Sequence, residues 1–491
     1  MKKHNYIAMN ALTQLKPTEV WQQFEEICKI PRPSKHEGKM IEYLVNFGKS
    51  HNLETTTDDA GNVVIKKPGT TRLAGKPSVI LQSHIDMVCE KTADSTHNFE
   101  CDPIEPRIDG DWVCANNTTL GADDGIGVAT QLAILASDSV EHPPLECLFT
   151  VDEETGLTGA FHLNPKMLSG KTLINLDSED EGQIFIGCAG GVNTTAVFEY
   201  GTEAIAESAT AYTIEVTGLR GGHSGDDIHK GFGNANKILN RILWQAQKQF
   251  GLQLCAIDGG NLHNAIPRHA QATIAVERKN SDALKQLVAT MSADIAQELK
   301  YTEPDLKINL TAAALPASAI AQSDLKRLMN GIYGCPNGPI AMSRALPGLV
   351  ETSTNLASVK MKENNQIEIV TSQRSSVLSA RTDIANMVES VFAQAGATVE
   401  HSDGYPGWEP NPESAILKTA VESYRRLFGR EPEVKAIHAG LECGLFLEKI
   451  PGMDMISIGP TLRGVHSPSE RIEIKTVKMF YDFLIDILKN I

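Results

Sequence analysis

Seven histidine, aspartate and glutamate residues stand where the sequence predicts that strands end or that a helix begins. They occur in the segments SHID, GADDG, VDEE, NLD and VHS, and they are His84, Asp86, Asp123, Glu153, Glu154, Asp177 and His466. Ligands of open α/β sheets bind outside the carboxyl ends of the strands, so these side chains are expected to converge. Imidazole and carboxylate groups without a thiolate suit Zn²⁺, Mn²⁺ or Co²⁺. A pair of such ions polarises a carbonyl and activates a water, which is the chemistry of metal-assisted hydrolysis.

His84 and Asp86 lie two residues apart at the end of the run SVILQSHID. Side chains at positions i and i+2 of a strand point to the same face. The Asp86 carboxylate can therefore hold one imidazole nitrogen of His84 while the other nitrogen binds a metal. The alternative is a structural histidine with a capping aspartate, and this pair alone does not exclude it.

Glu153 and Glu154 end the apolar run LECLFTVDEE, where adjacent carboxylates repel each other unless cations neutralise them. On a strand their side chains diverge, so one can bind a metal while the other faces a substrate as a general base. The alternative is a solvated acidic turn. Neither reading is decided by this segment alone.

Asp123, in TTLGADDGIGV, directly precedes a predicted helix. Its carboxylate could bridge two cations, or it could cap the amino end of the helix. Asp177 and His466 are weaker signals, because aspartates at strand ends and histidines in loops are mostly satisfied by intramolecular hydrogen bonds. It is the joint placement of all these residues that favours a metal site.

The elements that must position these residues alternate between helix and strand. Amphipathic or apolar helical patterns occupy 17–30, 38–52 and 125–137, and short apolar runs occupy 62–67, 78–86, 145–154 and 171–177. Buried strands separated by helices predict an α/β domain with a largely parallel sheet covered on both faces. From about residue 190 the strands alternate apolar and polar positions, which predicts an antiparallel α+β insert.

The predicted domain boundaries follow from this change of pattern. Residues 1–189 and 400–491 are expected to form one discontinuous α/β domain, and residues 190–399 the insert. The segment HSDGYPGWEPNPES after residue 400 is rich in proline and glycine and is interpreted as a joint. Two domains are also what a chain of 491 residues favours.

Composition narrows the class of protein. The chain is 41% hydrophobic and 22% charged, which is typical of a folded globular protein. A net charge of −16 argues against nucleic acid or an anionic membrane as the main partner. The first twenty residues lack the apolar run of a signal peptide, and the nine cysteines are scattered without a C-x-x-C pair. A cytoplasmic protein with reduced thiols is expected.

Nine motifs together closely resemble the aminoacyl-histidine dipeptidase branch of the co-catalytic zinc exopeptidase family, which also contains aminoacylases and glutamate carboxypeptidases. They are SHIDMV, GADDGIG, VDEETG, NLDSEDEG, GCAGG, GGHSGDDIHKG, NAIPR, HAGLECGLF and SIGPTLRGVHSP. The resemblance spans nearly the whole chain. It implies a di-metal catalytic domain with an inserted lid or dimerisation domain, and a homodimer. It also implies hydrolysis of unblocked dipeptides, including Xaa-His dipeptides such as carnosine.

The resemblance assigns a role to each of the seven residues. His84 and Asp177 would bind one metal ion, Glu154 and His466 the other, and Asp123 would bridge both. Asp86 would orient His84, and Glu153 would take the proton from the bridging water and return it to the leaving amine. Zinc is the expected metal, with manganese and cobalt as alternatives. The peptide bond between Asp123 and Asp124 would be cis, and Asp124 stands where Asn is common in the family.

The insert carries further residues that the resemblance implicates. His223 in GLRGGHSG matches the lid histidine that steadies the oxyanion of the tetrahedral intermediate. Asn264 in NAIPR and Arg374 in TSQRSS match positions that hold the terminal carboxylate of the substrate, a task suited to the bidentate guanidinium of arginine. Gly440 and Glu442 in HAGLECG are expected to line the substrate pocket.

Two other functions compete with a dipeptidase. An aminoacylase-type deacylase would use the same ligands, and the two differ in whether the substrate is a free or an N-acylated amino compound. A non-catalytic scaffold would be expected to have lost the base or the bridging carboxylate, and all seven residues are present. No G-x-G-x-x-G or G-x-S-x-G motif supports nucleotide binding or a serine nucleophile.

Overall fold

The computed structural model describes residues 12–491 and divides the chain into two compact units. The first comprises Met1–Gly187, Pro410–Ala436 and Glu442–Ile491, and the second Cys188–Glu409 and Ile437–Leu441. The predicted boundary at 400 therefore differs from the structure by about ten residues, and the short return segment Ile437–Leu441 was not predicted. The start of the chain, where a signal peptide was considered, lies outside the described residues.

An eight-stranded sheet forms the centre of the first unit. Its strands in spatial order are Glu54–Thr57, Val63–Lys67, Leu145–Thr150, Val79–His84, Thr172–Asn175, Asp454–Ser457, Gln183–Cys188 and Glu433–Ile437. The four strands from Leu145–Thr150 to Asp454–Ser457 pair in parallel, but their outer neighbours pair antiparallel. The α/β class is confirmed, whereas the sheet is mixed rather than largely parallel, because Glu54–Thr57 and Val63–Lys67 form a hairpin.

The parallel strands are aligned so that their carboxyl ends meet at one edge. His84 pairs with Thr150, Gln82 with Asn175, and Asn175 in turn with Ser457. All six residues of Val79–His84 and all six of Leu145–Thr150 are buried, so both faces of these strands are covered. This burial explains why the runs are continuously apolar instead of alternating.

The helices of the first unit bury apolar residues, except the four-residue Glu153–Gly156, in which no residue is buried. They are Thr18–Cys28, Gly38–Ser50, Ala122–Ala136, Glu153–Gly156, Thr158–His162, Ala415–Phe428, Glu442–Lys449 and Ile474–Asn490. A separate small sheet contains Leu462–Arg463, Arg471–Glu473, Trp112–Ala115 and Pro106–Asp109. Among the described residues, none of the helices combines the length and apolar composition that a membrane span requires.

The second unit is built on a nine-stranded sheet whose pairings are antiparallel. Its strands are Lys307–Ala313, Ala209–Thr217, Ala270–Glu277, Gln253–Gly259, Val350–Lys362, Gln366–Ser375, Gly190–Glu199 and Thr398–His401 in order, with Gly338–Met342 beside Val350–Lys362. The helices are Ala235–Phe250, Ser281–Glu298, Gln322–Gly334 and Leu378–Gln394. Two short strand pairs complete the unit, Thr202–Ala204 with Ser318–Ile320 and Gly222–His223 with Ala265–Ile266.

The segment after residue 400 is not a loose joint. Trp408 is buried and forms a β-bridge with Cys188, and Tyr405 forms another with Gly191. The proline and glycine residues of GYPGW therefore allow a fixed irregular strand that pairs with the start of Gly190–Glu199. Composition alone does not distinguish such a strand from a linker.

Candidate metal centre

The seven predicted residues lie at a strand end, in loops and in the first turns of helices of the first unit. His84 is the last residue of its strand, and Asp86 follows two residues later. Glu153 and Glu154 begin a four-residue helix after Leu145–Thr150, so the expectation that they lie on a strand is wrong. Asp177 follows Thr172–Asn175 by two residues. His466 lies in a loop and has a positive φ of 60°.

Asp86 holds both the first histidine and the loop of the two glutamates. Its Oδ1 lies 3.3 Å from His84 Nδ1 and accepts a hydrogen bond from Glu153 N at 3.0 Å. Its Oδ2 accepts hydrogen bonds from Ser34 Oγ at 2.8 Å and from Glu154 N at 3.2 Å. The carboxylate therefore lies next to His84 Nδ1, which makes no hydrogen bond among the described residues, while Nε2 faces the remaining acidic groups.

Asp123 lies between the two histidines. Its Oδ1 is 3.1 Å from His84 Nε2, and its Oδ2 is 3.1 Å from His466 Nε2. Asp177 Oδ1 lies 3.5 Å from His84 Nε2, and Glu154 Oε2 lies 3.0 Å from His466 Nε2. Two groups of possible ligands result, each with one histidine and one further carboxylate, and they share Asp123.

Glu153 also lies near these groups. Its carboxylate, with His84 and Glu154, forms a third set whose ligand atoms are within 4.8 Å of one another. Distance alone therefore leaves Glu153 open as a ligand or as a base. The two roles differ in whether metal binding survives its substitution.

Asp123 does not cap the helix Ala122–Ala136, which was the alternative to a metal-binding role. The residue at the N-cap position of Ala122–Ala136 is Gly121, which has no side chain to cap the helix. Asp124 Oδ1 instead accepts a hydrogen bond from Gly127 N at 3.2 Å, which leaves the Asp123 side chain to the histidines. The peptide bond between Asp123 and Asp124 is cis, as the family resemblance implied.

The cluster carries more carboxylates than its two imidazoles can balance. Burial, together with repulsion from Glu442, Glu154 and Asp123, raises the pKa of Glu153 well above its usual value. Burial and repulsion from neighbouring aspartates do the same to the pKa of Asp177. Hydrogen bonds with Asp123 and Glu154 raise the pKa of His466 to about 11.

These shifts describe a site that attracts positive charge. Carboxylates buried at this density are stable only when protonated or neutralised by cations, because an isolated buried charge is costly. Oxygen and imidazole donors in two adjacent groups suit divalent cations of the borderline class. The residues present therefore fit two such ions, with Asp123 common to both.

Residues of the second unit bring His223 and Arg374 together. His223 Nε2 lies 3.5 Å from Arg374 Nη2, and His223 Nδ1 accepts a hydrogen bond from Asp226 N at 3.2 Å. Burial and the Arg374 charge lower the pKa of His223, so its ring is neutral. Backbone N–H groups face Nδ1 and the Arg374 guanidinium, which has only donors, faces Nε2, so both ring nitrogens lie opposite hydrogen-bond donors.

Asn264 lies beside His223 through the backbone, since Ser224 N donates to Asn264 O at 2.8 Å. Its side chain is exposed. Arg374 is only 6% exposed, and its Nε has no hydrogen-bond partner among the described residues. A buried guanidinium with an unused donor is a candidate for binding an anionic group of a ligand.

Tyr405 is a residue that the sequence reasoning missed. Its hydroxyl accepts a hydrogen bond from Arg374 Nη1 at 2.9 Å. The ring is packed between two glycines, because a Cβ on Gly191 or on Gly440 would lie 2.7 or 2.8 Å from it. Gly440 therefore makes room for Tyr405, which is a more specific role than lining a pocket. Tyr405 was missed because its segment was interpreted as a joint between domains.

Glu442 lies in the first unit and is 2% exposed. Its Oε2 accepts hydrogen bonds from Gln82 Nε2 at 2.6 Å and Thr150 Oγ1 at 2.9 Å. Burial raises its pKa to about 7. Its Oε1 has no hydrogen-bond partner among the described residues, and the predicted place of Glu442 in the substrate pocket stays a prediction.

Arg32 and Glu470 were also missed, and both are 2% exposed. Arg32 donates to backbone carbonyls of the loops that carry Asp86 and Asp123, and Glu470 accepts from backbone amides of the Asp123 loop. No motif signals such contacts, because the partner of the side chain is a peptide group that every residue has. Only the folded chain identifies them.

The chain is similar to known proteins over nearly its whole length. Residues 80–490 match the family model described as peptidase family M20/M25/M40. The cytosol non-specific dipeptidase of Escherichia coli strain K12 is 43% identical over 98% of this chain and 99% of its own length.

Solved structures are similar to this chain as well. The aminoacylhistidine dipeptidase of Vibrio alginolyticus is 42% identical, with a TM-score of 0.93 over 98% of both chains. A tripeptidase from Staphylococcus aureus is 16% identical, with a TM-score of 0.56 over 97% of this chain and 98% of its own. The likeness to the tripeptidase concerns the fold alone.

Proposed function

The chain belongs to peptidase family M20/M25/M40, and we propose that it is a metal-dependent dipeptidase that hydrolyses unblocked dipeptides, including Xaa-His dipeptides. Two relatives that match it over nearly their whole lengths are named as dipeptidases. The observation that carries the proposal is the pair of histidine–carboxylate groups sharing Asp123 at the carboxyl edge of the sheet.

Five residues would hold two divalent ions, zinc before manganese or cobalt. His84 and Asp177 would bind one ion, Glu154 and His466 the other, with Asp123 between them. When bound, such ions polarise a substrate carbonyl and lower the pKa of a water between them. The distances from Asp123 to both imidazoles support this division.

The remaining two residues of the cluster have other tasks. Asp86 would orient His84 through Nδ1, as its 3.3 Å contact supports. Glu153 would accept a proton from the attacking water at a carboxylate oxygen and deliver it to the leaving amine nitrogen. Its carboxylate lies in the same cluster as His84 and Glu154, which supports this task.

Recognition of the substrate is assigned to the second unit. His223 would steady the oxyanion that develops on the carbonyl, and its place beside the buried Arg374 guanidinium supports that task. Arg374 would bind the terminal carboxylate together with Asn264, and the unused Nε of Arg374 supports this role. Tyr405 and Gly440 would keep the guanidinium in place.

A dipeptide panel with metal reconstitution tests the proposal. Chelated protein should lose the cleavage of carnosine and Gly-His, and added Zn²⁺, Mn²⁺ or Co²⁺ should restore it. N-acetyl amino acids in the same panel examine the aminoacylase alternative. Full activity of rigorously metal-free protein, or a preference for the acetylated compounds, would contradict the proposal.

Location and assembly are also proposed here. A cytoplasmic location is supported by the name of the E. coli relative, which is a cytosol dipeptidase. The homodimer implied by the family resemblance stays a prediction. Sedimentation of the purified full chain measures it directly.

A further inference from the structure

Glu470 binds four consecutive backbone amides with one carboxylate. Its Oε2 accepts hydrogen bonds from Leu120 N at 2.7 Å and Gly121 N at 2.9 Å. Its Oε1 accepts from Ala122 N at 2.8 Å and Asp123 N at 3.3 Å. The side chain is only 2% exposed, so water does not share these contacts to any extent.

These amides need such a partner because the chain is irregular there. The first amides of a helix have no carbonyl acceptor within the helix. In addition, Asp123 and Asp124 have non-helical backbone angles inside Ala122–Ala136. A buried N–H without a partner is costly, so a carboxylate with two oxygens can fix a conformation that the backbone does not stabilise by itself.

Arg32 holds the same segment from its carbonyl side. Its Nη2 donates to Gly121 O at 2.5 Å, and its Nη1 donates to Asp86 O at 2.9 Å and Ile85 O at 3.1 Å. A Cβ on Gly121 or Gly125 would lie 2.6 Å from Nη2, so only glycine leaves room for the guanidinium. The arginine thereby ties the loop of Asp86 to the loop of Asp123.

We propose that Glu470, assisted by Arg32, is a positioning residue that sets the backbone at Asp123 so that one carboxylate reaches both metal ions. The proposal rests on the metal-binding role given to Asp123 above. The described hydrogen bonds of Glu470 all come from backbone amides, that of Asp123 and the three before it. Its loss is therefore expected to weaken metal binding more than folding.

The test is Glu470→Gln, which keeps the size of the side chain. An amide has one acceptor oxygen, and its NH₂ group would face two backbone N–H donors. Partners of metal ligands typically contribute 10–100-fold to metal affinity, so Zn²⁺ should bind about 10–100-fold more weakly. The dissociation constants are measured by competition between metal-free full-length protein and a chromophoric chelator, without any use of activity.

Glu146→Gln is the matched control. Glu146 is also 2% exposed in the same unit, and it accepts hydrogen bonds from Ser169 N at 2.8 Å and Gly170 N at 3.1 Å. It lies near the amino end of Leu145–Thr150, away from the ligands. Both variants should lower the thermal unfolding temperature, and only Glu470→Gln should weaken zinc binding.

The outcomes separate this proposal from the proposed function. If wild-type protein binds no zinc, the metal-dependent function itself fails. If wild-type protein and Glu470→Gln bind zinc equally, or if Glu146→Gln weakens binding as much, the positioning role is refuted. If Glu470→Gln does not fold, Arg32→Lys is tested in its place, because lysine keeps the charge but cannot reach all three carbonyls. Arg32→Lys must then weaken zinc binding, and unchanged binding would refute the positioning role.

Discussion

His438 is a buried histidine whose neutrality should limit the stability of the second unit in acid. It is 5% exposed, and its Nε2 lies 2.7 Å from Ser353 Oγ. Burial, followed by repulsion from Arg374, lowers its pKa from 6.5 to about 3. Ser353 pairs with Arg374 across neighbouring strands, which accounts for the proximity of the charge.

The sign of the effect follows from which state binds the proton. Below the unfolded pKa of 6.5 the unfolded chain protonates this ring, while the folded chain keeps it neutral down to about 3. The unfolded state is therefore favoured progressively as the pH falls through this window. Between about pH 7 and about pH 5 the loss in unfolding free energy is about 2 kcal/mol.

Replacing His438 with glutamine should remove this loss, because the amide can still bond to the Ser353 hydroxyl but does not titrate. For a cooperative unit of about 200 residues, 2 kcal/mol corresponds to about 4–8 °C in unfolding temperature. Scanning calorimetry at both pH values should therefore show a smaller acid-induced drop in His438→Gln than in wild type.

His36→Gln serves as the control, since His36 is exposed. It should show the same acid-induced drop as wild type, including any part caused by metal release. An unchanged drop in His438→Gln would refute the reasoning. Protonation of the ring near pH 6.5, observed by NMR of labelled histidine, would refute it as well.

Three further substitutions separate the proposed roles. Glu153→Gln should keep both metal ions and lower kcat by about 10²–10⁴-fold, because it removes only a general base; elemental analysis showing metal loss would make Glu153 a ligand instead. His223→Ala should lower kcat by about 10²–10³-fold with metal content intact, as loss of an oxyanion donor does; an unchanged kcat excludes that role. Tyr405→Phe removes the acceptor for Arg374, whose hydrogen bond contributes about 1.5–3 kcal/mol. Tyr405→Phe should therefore raise KM for free dipeptides at least about tenfold with kcat nearly unchanged. Equal KM values for the variant and the wild type would contradict the role given to Tyr405.

Much of the candidate site could be predicted because its residues have distinctive types at strand ends. The runs 78–86, 145–154 and 171–177 were each predicted as strands, and the structure has strands at Val79–His84, Leu145–Thr150 and Thr172–Asn175. The strands end before the acidic residues in each case. Periodicity reports burial, and so it does not show where hydrogen bonding to a neighbouring strand stops.

Side-chain contacts with the backbone could not be predicted in the same way. Glu470 and Arg32 each hydrogen-bond to peptide groups of the Asp123 loop, which lies more than 80 residues away along the chain. Arg32 also bonds to the nearer loop of Asp86. Tyr405 stands in a proline- and glycine-rich segment whose composition is equally typical of a linker. Gly191 and Gly440 are explained only by the ring that packs against them.

The sequence by itself determined the family, the α/β class and the residue types of a di-metal site, because imidazoles and carboxylates at successive strand ends admit few other uses. Tertiary structure alone decided how those groups divide. Asp123 faces two histidines and Asp124 takes the helix-capping bond, although both are aspartates in one short loop. The physical reason is that strand register, backbone hydrogen bonds and burial together determine where each side chain points. The order of residues along the chain does not contain those directions.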